Sequence, residues 1–310
     1  MKKLLAAMVL SGCIGTVSAQ GFLDILKKAI PQAPSAPSTP TPSQASSITQ
    51  ALGGLFGSTS KEEEVQIGRQ LAGNLLGAVQ LVRDDRLQAY VNKVGRWLAS
   101  QTDRADLNWY FGVLDSDDIN AFALPGGYVF VTRGLYNRLG SEAELAGVLG
   151  HEIGHIIMQH HLKVLRQSQM VGAGSGLLAG QIRQGGIGNA AAQNLLGNGA
   201  EALARGLDKD AEFEADRIGV VLATRAGYSP YGLPVVLQKI GRSNATDSSV
   251  ALLFKTHPSP QDRLSMLGDA MTDSFDKYAD GQILAERLQA IAGHPPVATT
   301  PAPAPQSLTK

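Results

Sequence analysis

Apolar residues recur at helical spacing over much of the central part of the chain. One stripe covers 62–82, and a second runs from Leu87 to Leu98 after Asp84 and Asp85 interrupt the first. Apolar side chains spaced three or four positions apart lie on one face of a helix, which can then pack against a core. The pattern therefore predicts two amphipathic helices in this part of the chain.

Shorter apolar runs follow, with the length and residue types of β-strands. The run 109–114 predicts one strand, while 119–124 and 128–132 predict either a hairpin or two strands around a tight turn at Pro125-Gly126-Gly127. The helical pattern then returns, and Ser141 with Glu144 has the spacing of a capping box. Further helices are predicted over 142–166, 208–226, 231–241 and from Ser259-Pro260 onward. The fold class expected is α+β, mostly helical, with a small sheet.

Both ends of the chain have a different composition from the centre. Residues 20–60 and 293–310 are rich in Pro, Ser and Ala, which predicts a flexible tether and a disordered tail. The folded domain is expected over 61–292. Within it, 172–200 holds many of the 35 glycines and fits either a mobile loop or closely packed helices of small residues.

The first residues have the pattern of an export signal. Lys2 and Lys3 precede an apolar run, and Ala19 ends a small-x-small cleavage site. The chain's one cysteine, Cys13, ends the run LSGC, which resembles a bacterial lipoprotein cleavage box. Segment 1–19 is therefore predicted to be a signal peptide, either removed after Ala19 or ending before a lipidated Cys13. Both alternatives lead to the bacterial periplasm, soluble or lipid-anchored to a membrane.

Charge and cysteine content exclude several classes of protein. The 27 basic and 27 acidic residues balance, and loss of the signal with its two lysines would give a net charge of −2. A neutral chain is not typical of a nucleic-acid-binding protein, and we expect no nucleic-acid partner. A single cysteine excludes an internal disulfide framework and a cysteine-rich zinc module.

The most informative motif is His151-Glu152-Ile153-Gly154-His155, within the helix that the capping box begins. Residues four apart share one helix face, so His151 and His155 can reach the same metal ion. Glu152 is turned partly aside, where it can serve as a general base. A polar face with two exposed histidines is the alternative. Apolar residues flank the motif, however, and a buried His-Glu-His set without a ligand would be costly.

A catalytic zinc site needs a third protein ligand and an open position. Glu212 is the best candidate, on the predicted helix after the glycine-rich segment. Asp216 lies one turn further on and could hold a ligating histidine by its outer N–H. Glu214 and Asp210 are interpreted as part of a solvated face of the same helix.

Four sequence blocks, in this order and spacing over about 62–270, resemble the M48 family of zinc metallopeptidases: Asn120-Ala121-Phe122-Ala123-Leu124-Pro125-Gly126-Gly127, His151-Glu152-x-x-His155, Glu212-Phe213-x-Ala215-Asp216 and Thr256-His257-Pro258. The resemblance is to the periplasmic outer-membrane quality-control branch, without its helical-repeat domain. It implies a gluzincin-like domain with a small sheet beside the metal-binding helix, one Zn²⁺ per chain, and Glu212 rather than Glu214 as third ligand.

The resemblance also implies roles for two further parts of the sequence. Asn120–Leu124 would be an edge strand beside the cleft, with which an extended substrate can pair. His257 would lie near the metal, either stabilising the transition state or filling the open position as a latch. The alternative for His257 is a helix cap before Pro258. His160 and His161 are interpreted as a polar helix end rather than as extra ligands.

Three function classes follow from these residues. The main hypothesis is an exported zinc-dependent endopeptidase that cleaves misfolded or extended envelope proteins, with Glu152 as general base and His257 as second catalytic residue. The second is a chaperone or assembly factor whose latched metal site cleaves little. The third is a protein in which the metal is only structural, which an open fourth position would argue against.

Overall fold

The computed structural model describes residues 59–167, 207–243, 249–271 and 273–292. Segment 1–19 with Cys13, all but the end of the predicted tether, the stretch 172–200 and the tail 293–310 lie outside the described residues. The α-helices with defined bounds are α1 (Lys61–Ala78), α2 (Asp85–Ala99), α3 (Arg133–Tyr136), α4 (Glu142–Ile157), α5 (Lys209–Arg225), α6 (Gly232–Gly241), α7 (Ala251–Thr256), α8 (Pro260–Ala270) and α9 (Ala285–Ala292). The described part also contains helical residues over 160–167 and a 3₁₀ helix at Asp273–Tyr278.

Three strands form the sheet of the described residues: β1 (Tyr110–Leu114), β2 (Ala121–Leu124) and β3 (Tyr128–Thr132). Their order is β1-β3-β2, so β3 is central. β1 pairs with β3 in parallel and β2 pairs with β3 antiparallel, which confirms the predicted hairpin. The α+β class, mostly helical with a small sheet, is likewise confirmed.

The outer edge of β1 is closed by side-chain amides from α2. Gln88 accepts a hydrogen bond from the Val113 backbone N–H at 2.9 Å and donates to the Val113 carbonyl at 3.0 Å. Asn92, one turn further along α2, bonds in the same way to the N–H and carbonyl of Phe111. Buried backbone polar groups must be paired, and here two amides, together with the short extended stretch at Leu81 that bridges Leu114, take the place of a neighbouring strand. β2 is left as the other edge of the sheet.

Helix α1 is shorter than the predicted 62–82. It ends at Ala78, and the chain then runs extended so that Leu81 makes a β-bridge with Leu114. Asp84, expected to interrupt the helix, instead begins the next one. Its side chain accepts hydrogen bonds from the backbone N–H groups of Arg86 and Leu87 and so caps α2.

Helix α4 also differs from the prediction of one helix over 142–166. It ends at Ile157, Gln159 has a φ of 56°, and helical geometry resumes over 160–167. A positive φ at a residue other than glycine breaks a helix. The Gln159 side chain donates to the buried carboxylate of Glu64, which also accepts from the backbone N–H of Gly126. This carboxylate thereby joins α1, the hairpin turn and the end of α4.

The N-terminus of α4 is fixed by two acidic residues. Ser141 caps it as predicted, but Glu144 bonds to the Gly140 N–H and to Lys239 instead of completing the capping box. Glu142 is 1% exposed. Its carboxylate accepts hydrogen bonds from three side chains: Tyr90 of α2, Tyr228 of the loop between α5 and α6, and Arg287 of α9.

Helices α4 and α5 approach so closely that their backbones are in contact. A Cβ at Gly219 would lie 2.7 Å from the backbone nitrogen of His151, and one at Gly150 would lie 2.8 Å from the carbonyl oxygen of Gly219. Only glycine permits this distance at the crossing. Ala215 fills the next position, against Gly154. The crossing brings the acidic first half of α5 alongside the histidines of α4.

The hydrophobic core lies between α2, the sheet, α4 and α5. Leu145, Leu149 and Ile153 of α4 are fully buried in it. β2 packs directly against α4, so the small sheet lies beside the helix that carries the motif. Among the described residues, none of the helices combines the length and apolar character needed to span a membrane.

Candidate metal centre

Four side chains from three separated parts of the chain converge in the core. His151 and His155 come from α4, Glu212 from the first turn of α5, and His257 from the C-cap of α7. One ligand atom from each lies within 4.8 Å of the other three. Glu212 is completely buried and both α4 histidines are almost so. Such a set could hold one metal ion.

The atoms at the centre of this set lack the partners that buried polar atoms need. The Nε2 atoms of His151 and His155 are 3.0 Å apart, and Glu212 Oε1 is 3.5 Å from His155 Nε2. Oε1 is buried and has no hydrogen-bond partner among the described residues. Two nitrogens bound tetrahedrally to Zn²⁺ would be about 3.3 Å apart. The donor set and its spacing therefore fit a zinc ion.

The outer nitrogen of His151 is held by a buried ion pair. Asp216 Oδ1 lies 2.8 Å from His151 Nδ1, and the same carboxylate binds the guanidinium of Arg263 at 2.5 and 2.9 Å. Burial alone would raise the pKa of Asp216, but Arg263 and His151 hold it well below the usual range. The carboxylate stays ionised, so Nδ1–H of His151 donates to it and Nε2 keeps its lone pair.

Arg263 was missed by the sequence interpretation. It lies in the first turns of α8, after the Ser259 cap, and is only 4% exposed. An arginine at such a position is usually solvated, and nothing in the local pattern indicated that it would reach Asp216.

His160 does not lie on a solvated helix end as interpreted, although neither it nor His161 belongs to the four potential ligands. His160 is 4% exposed, and its Nδ1 lies 3.0 Å from the outer nitrogen of His155. Its Nε2 lies 3.0 Å from Glu214, which is therefore a hydrogen-bond partner rather than a purely solvated residue. His161 has a buried Nδ1 without a hydrogen-bond partner among the described residues, and burial lowers its pKa to about 4. Asp210 is exposed as expected.

His257 and Glu212 form a close charged pair. His257 Nδ1 donates to Glu212 Oε2 at 2.7 Å. Burial would lower the pKa of His257, yet the charge and hydrogen bond of Glu212 raise it above the usual range. In turn, burial would raise the pKa of Glu212, but His257, His151 and Arg263 lower it to about 2. Glu212 is thus a carboxylate at neutral pH, as a metal ligand must be.

Glu152 lies in a small cavity beside this set, with His151, His257, Arg263 and Ala121 among the residues that line it. The side chain is 3% exposed, and burial raises its pKa, opposed by the neighbouring histidines. A raised pKa suits a group that must accept and return a proton. Apolar residues of α3, α4, α6 and α7 line the rest of the cavity.

The strand residues of the predicted substrate edge lie next to this cavity. Ala121, Phe122, Ala123 and Leu124 form β2, and Asn120 precedes it. Asn120 is 1% exposed, and its side-chain Nδ2 and Oδ1 have no hydrogen-bond partner among the described residues.

Curated relatives of the chain carry names of proteases. The beta-barrel assembly-enhancing protease of Escherichia coli K12 is 30% identical over 271 residues, which are 85% of this chain and 51% of that protein. The protein of the same name in Yersinia pestis is 30% identical over 213 residues, 66% of this chain and 43% of its own length. The mitochondrial metalloendopeptidase OMA1 of Arabidopsis thaliana is 29% identical over 193 residues, 62% of this chain and 37% of that protein.

The chain spans about half the length of the curated relatives it matches first. A family model also matches the chain. The model described as peptidase family M48 covers residues 85–270, more than half of the chain, and includes α4, α5 and His257. The resemblance noted in the four sequence blocks is confirmed, and the chain belongs to peptidase family M48.

Proposed function

We propose that the chain is a zinc-dependent endopeptidase, with His151, His155 and Glu212 as metal ligands and Asp216 positioning His151. The observation that carries the proposal is the orphaned, fully buried Glu212 Oε1 beside two converging imidazole nitrogens. Two neutral imidazoles and one carboxylate would leave a bound Zn²⁺ with a net charge of about +1. When bound, zinc would supply Lewis-acid activation of water and of the scissile carbonyl.

The chain's own residues would do the remaining chemistry. Glu152 accepts the proton of the attacking water, for which its raised pKa is suited, and delivers it to the leaving amine nitrogen. His257 carries a proton on the nitrogen that bonds Glu212, and its raised pKa favours a cationic ring that can stabilise a developing oxyanion. Arg263 and Asp216 hold His151 in one tautomer throughout.

Metal removal tests the proposal directly. We expect a chelator to abolish cleavage of an unfolded casein-type substrate by the full chain, and zinc added after removal of the chelator to restore it. Metal content is measured beside activity in each sample. Full cleavage by protein shown to be metal-free would refute the proposal.

The substrate would bind as an added strand on β2. β2 is the edge strand that packs on α4, and the opposite edge of the sheet is closed by Gln88 and Asn92. Main-chain pairing suits extended or unfolded polypeptides and gives loose sequence specificity. The unpartnered amide of Asn120, at the start of this strand, would gain a partner from a substrate backbone.

Replacing Asn120 tests this binding mode. We expect Asn120→Ala to raise KM for a casein-type substrate while zinc content stays the same, because the amide would contact the substrate rather than the metal. Removing one hydrogen bond of this kind costs about 1 kcal/mol, or roughly fivefold in KM. An unchanged KM with a folded variant would contradict the assigned role.

A chaperone or assembly factor with a latched site is the second candidate. The observation in its favour is His257, which lies within the set of four potential ligands. In the described arrangement its Nδ1–H donates a hydrogen bond to Glu212, and its backbone N–H caps the C-terminus of α7. An oxyanion donor, a latch and a cap predict different results when the ring is removed.

His257→Ala is expected to change turnover and leave the metal bound. Loss of an oxyanion donor would lower kcat by about 10²–10³-fold, whereas loss of a latch would raise it. Metal content and casein-type turnover are measured together, and far-UV circular dichroism checks the fold. If neither the rate nor the metal content moves, His257 is only a helix cap.

The setting we propose is the bacterial periplasm, with the chain soluble or anchored by a lipid at Cys13. Its partners would be unfolded or misassembled envelope polypeptides, in keeping with the names of two of the relatives, which refer to β-barrel assembly. Mass spectrometry of the mature N-terminus separates the two routes: a lipidated cysteine supports anchoring, and a chain that starts at Gln20 refutes it.

A further inference from the structure

The two metal-facing histidines of α4 have different supports on their outer nitrogens. His151 is held by Asp216, which is buried and paired with Arg263. His155 points its Nδ1 at His160, and His160 points its other nitrogen at Glu214. The second support continues toward the surface, since the Glu214 side chain is 38% exposed.

We propose that His160 and Glu214 are positioning residues of the metal site, which orient His155 through a relay of two hydrogen bonds. This inference rests on the proposed function, because it assumes that His155 binds a metal through Nε2. Neither residue touches the reacting atoms.

The relay follows from counting protons on the three side chains. A neutral His155 that offers its Nε2 lone pair to a metal must carry its proton on Nδ1. That proton can be donated only to an unprotonated Nδ1 of His160, 3.0 Å away. A neutral His160 then carries its proton on Nε2, which lies 3.0 Å from a Glu214 oxygen that accepts it. Each hydrogen bond thus fixes the tautomer of the next ring.

The position of His160 depends on the break after α4. Helix α4 ends at Ile157, and the positive φ of Gln159 redirects the chain before residue 160. Glu64 holds the Gln159 side chain at 3.2 Å. The resulting turn places His160 beside His155, with the ring centroids 5.2 Å apart.

Zinc affinity, measured on the full chain by competition with a chromogenic chelator, tests the relay. We expect His160→Leu and Glu214→Ala to weaken zinc binding by roughly 10–100-fold, as loss of outer hydrogen-bond partners of metal ligands commonly does. Because the two act in series, the double variant should lose about as much as His160→Leu alone. Asp210→Ala, which removes an exposed acid of the same helix, is the matched control and should leave affinity unchanged.

A merely structural link between 160–167 and α5 would give a different result. It would lower the thermal midpoint of the metal-free protein, whereas loss of the relay would mainly shrink the upward shift of the midpoint that zinc causes. His160→Gln, which retains one acceptor and one donor, should recover part of the affinity that His160→Leu loses. Unchanged zinc affinity in folded His160→Leu, or a loss that only follows the metal-free midpoint, would overturn the proposal.

Histidine nitrogen NMR of the zinc-bound wild-type chain gives a second test that needs no variant. The expected tautomers are Nδ1–H for His155 and Nε2–H for His160, and a proton on Nδ1 of His160 would overturn the relay. If wild-type protein binds no zinc, the proposed function fails together with it. If the wild type binds zinc and the His160 and Glu214 variants bind it with the same affinity, the relay is wrong and the proposed function is unaffected.

Discussion

Glu152→Gln is expected to retain bound zinc and to lose peptidase activity. The amide has almost the same shape as the carboxylate but cannot accept a proton from water, and loss of a general base costs about 10²–10⁴-fold in rate. The carboxylate of Glu152 is buried beside His151 without belonging to the four potential ligands, so the metal set should stay complete.

Three measurements on this variant decide between the function classes: metal content, casein-type turnover and binding of an unfolded client. If the chain is a peptidase, Glu152→Gln should have wild-type zinc content, no casein-type turnover and retained binding of the unfolded client. A chaperone predicts client binding equal to that of the wild type, which itself would show little turnover. Full cleavage of the casein-type substrate by Glu152→Gln would contradict the role of Glu152 as general base.

The second large effect is expected for Glu212→Ala, which should remove most of the bound metal. The variant deletes one of three proposed ligands and leaves a bound Zn²⁺ with two neutral imidazoles and no carboxylate to offset its charge. In the wild type Glu212 is fully ionised, because its pKa is lowered to about 2. We expect zinc content after gel filtration to fall to near zero, and activity to fall with it.

Glu214→Ala, two residues away on the same helix, is the matched comparison for this experiment. Its side chain contacts His160 and not the metal set, so the variant should lose some zinc affinity through the relay but retain far more zinc after gel filtration than Glu212→Ala. Equal metal content in the two variants would refute Glu212 as a ligand. Far-UV circular dichroism of both proteins checks that helix α5 persists.

Much of the site could be predicted because its residues lie at fixed spacings within helices. His151 and His155 are four apart, and Glu212 and Asp216 are four apart, so each pair shares a helix face whatever the tertiary structure. The hairpin was predictable from local sequence as well, because its turn contains Gly126 and Gly127, and both adopt the positive φ that glycine favours.

Contacts that join distant segments were not predictable from those spacings. Arg263 reaches Asp216 only because α8 packs on α5, and Glu214 reaches His160 only because α4 ends early. The break after α4 itself involves a distant residue, because Glu64 accepts a hydrogen bond from Gln159, 95 positions away in the sequence. Helix periodicity carries no information about such partners, whereas a buried arginine or glutamate in the structure immediately indicates them.

The amides of Gln88 and Asn92 bear on self-association of the chain. A sheet with two unpaired edges can pair with other copies of the chain at both edges, and such pairing can continue as an open-ended assembly. Here the outer edge of β1 is already bonded to Gln88 and Asn92 of α2 and, at Leu114, to the extended stretch at Leu81. Within the described residues, a polypeptide strand laid on β2 would therefore leave no free edge on β1 for a further strand. Under the proposed binding mode, an extended substrate bound on β2 would therefore not lead to the addition of a second strand at the opposite edge of the sheet.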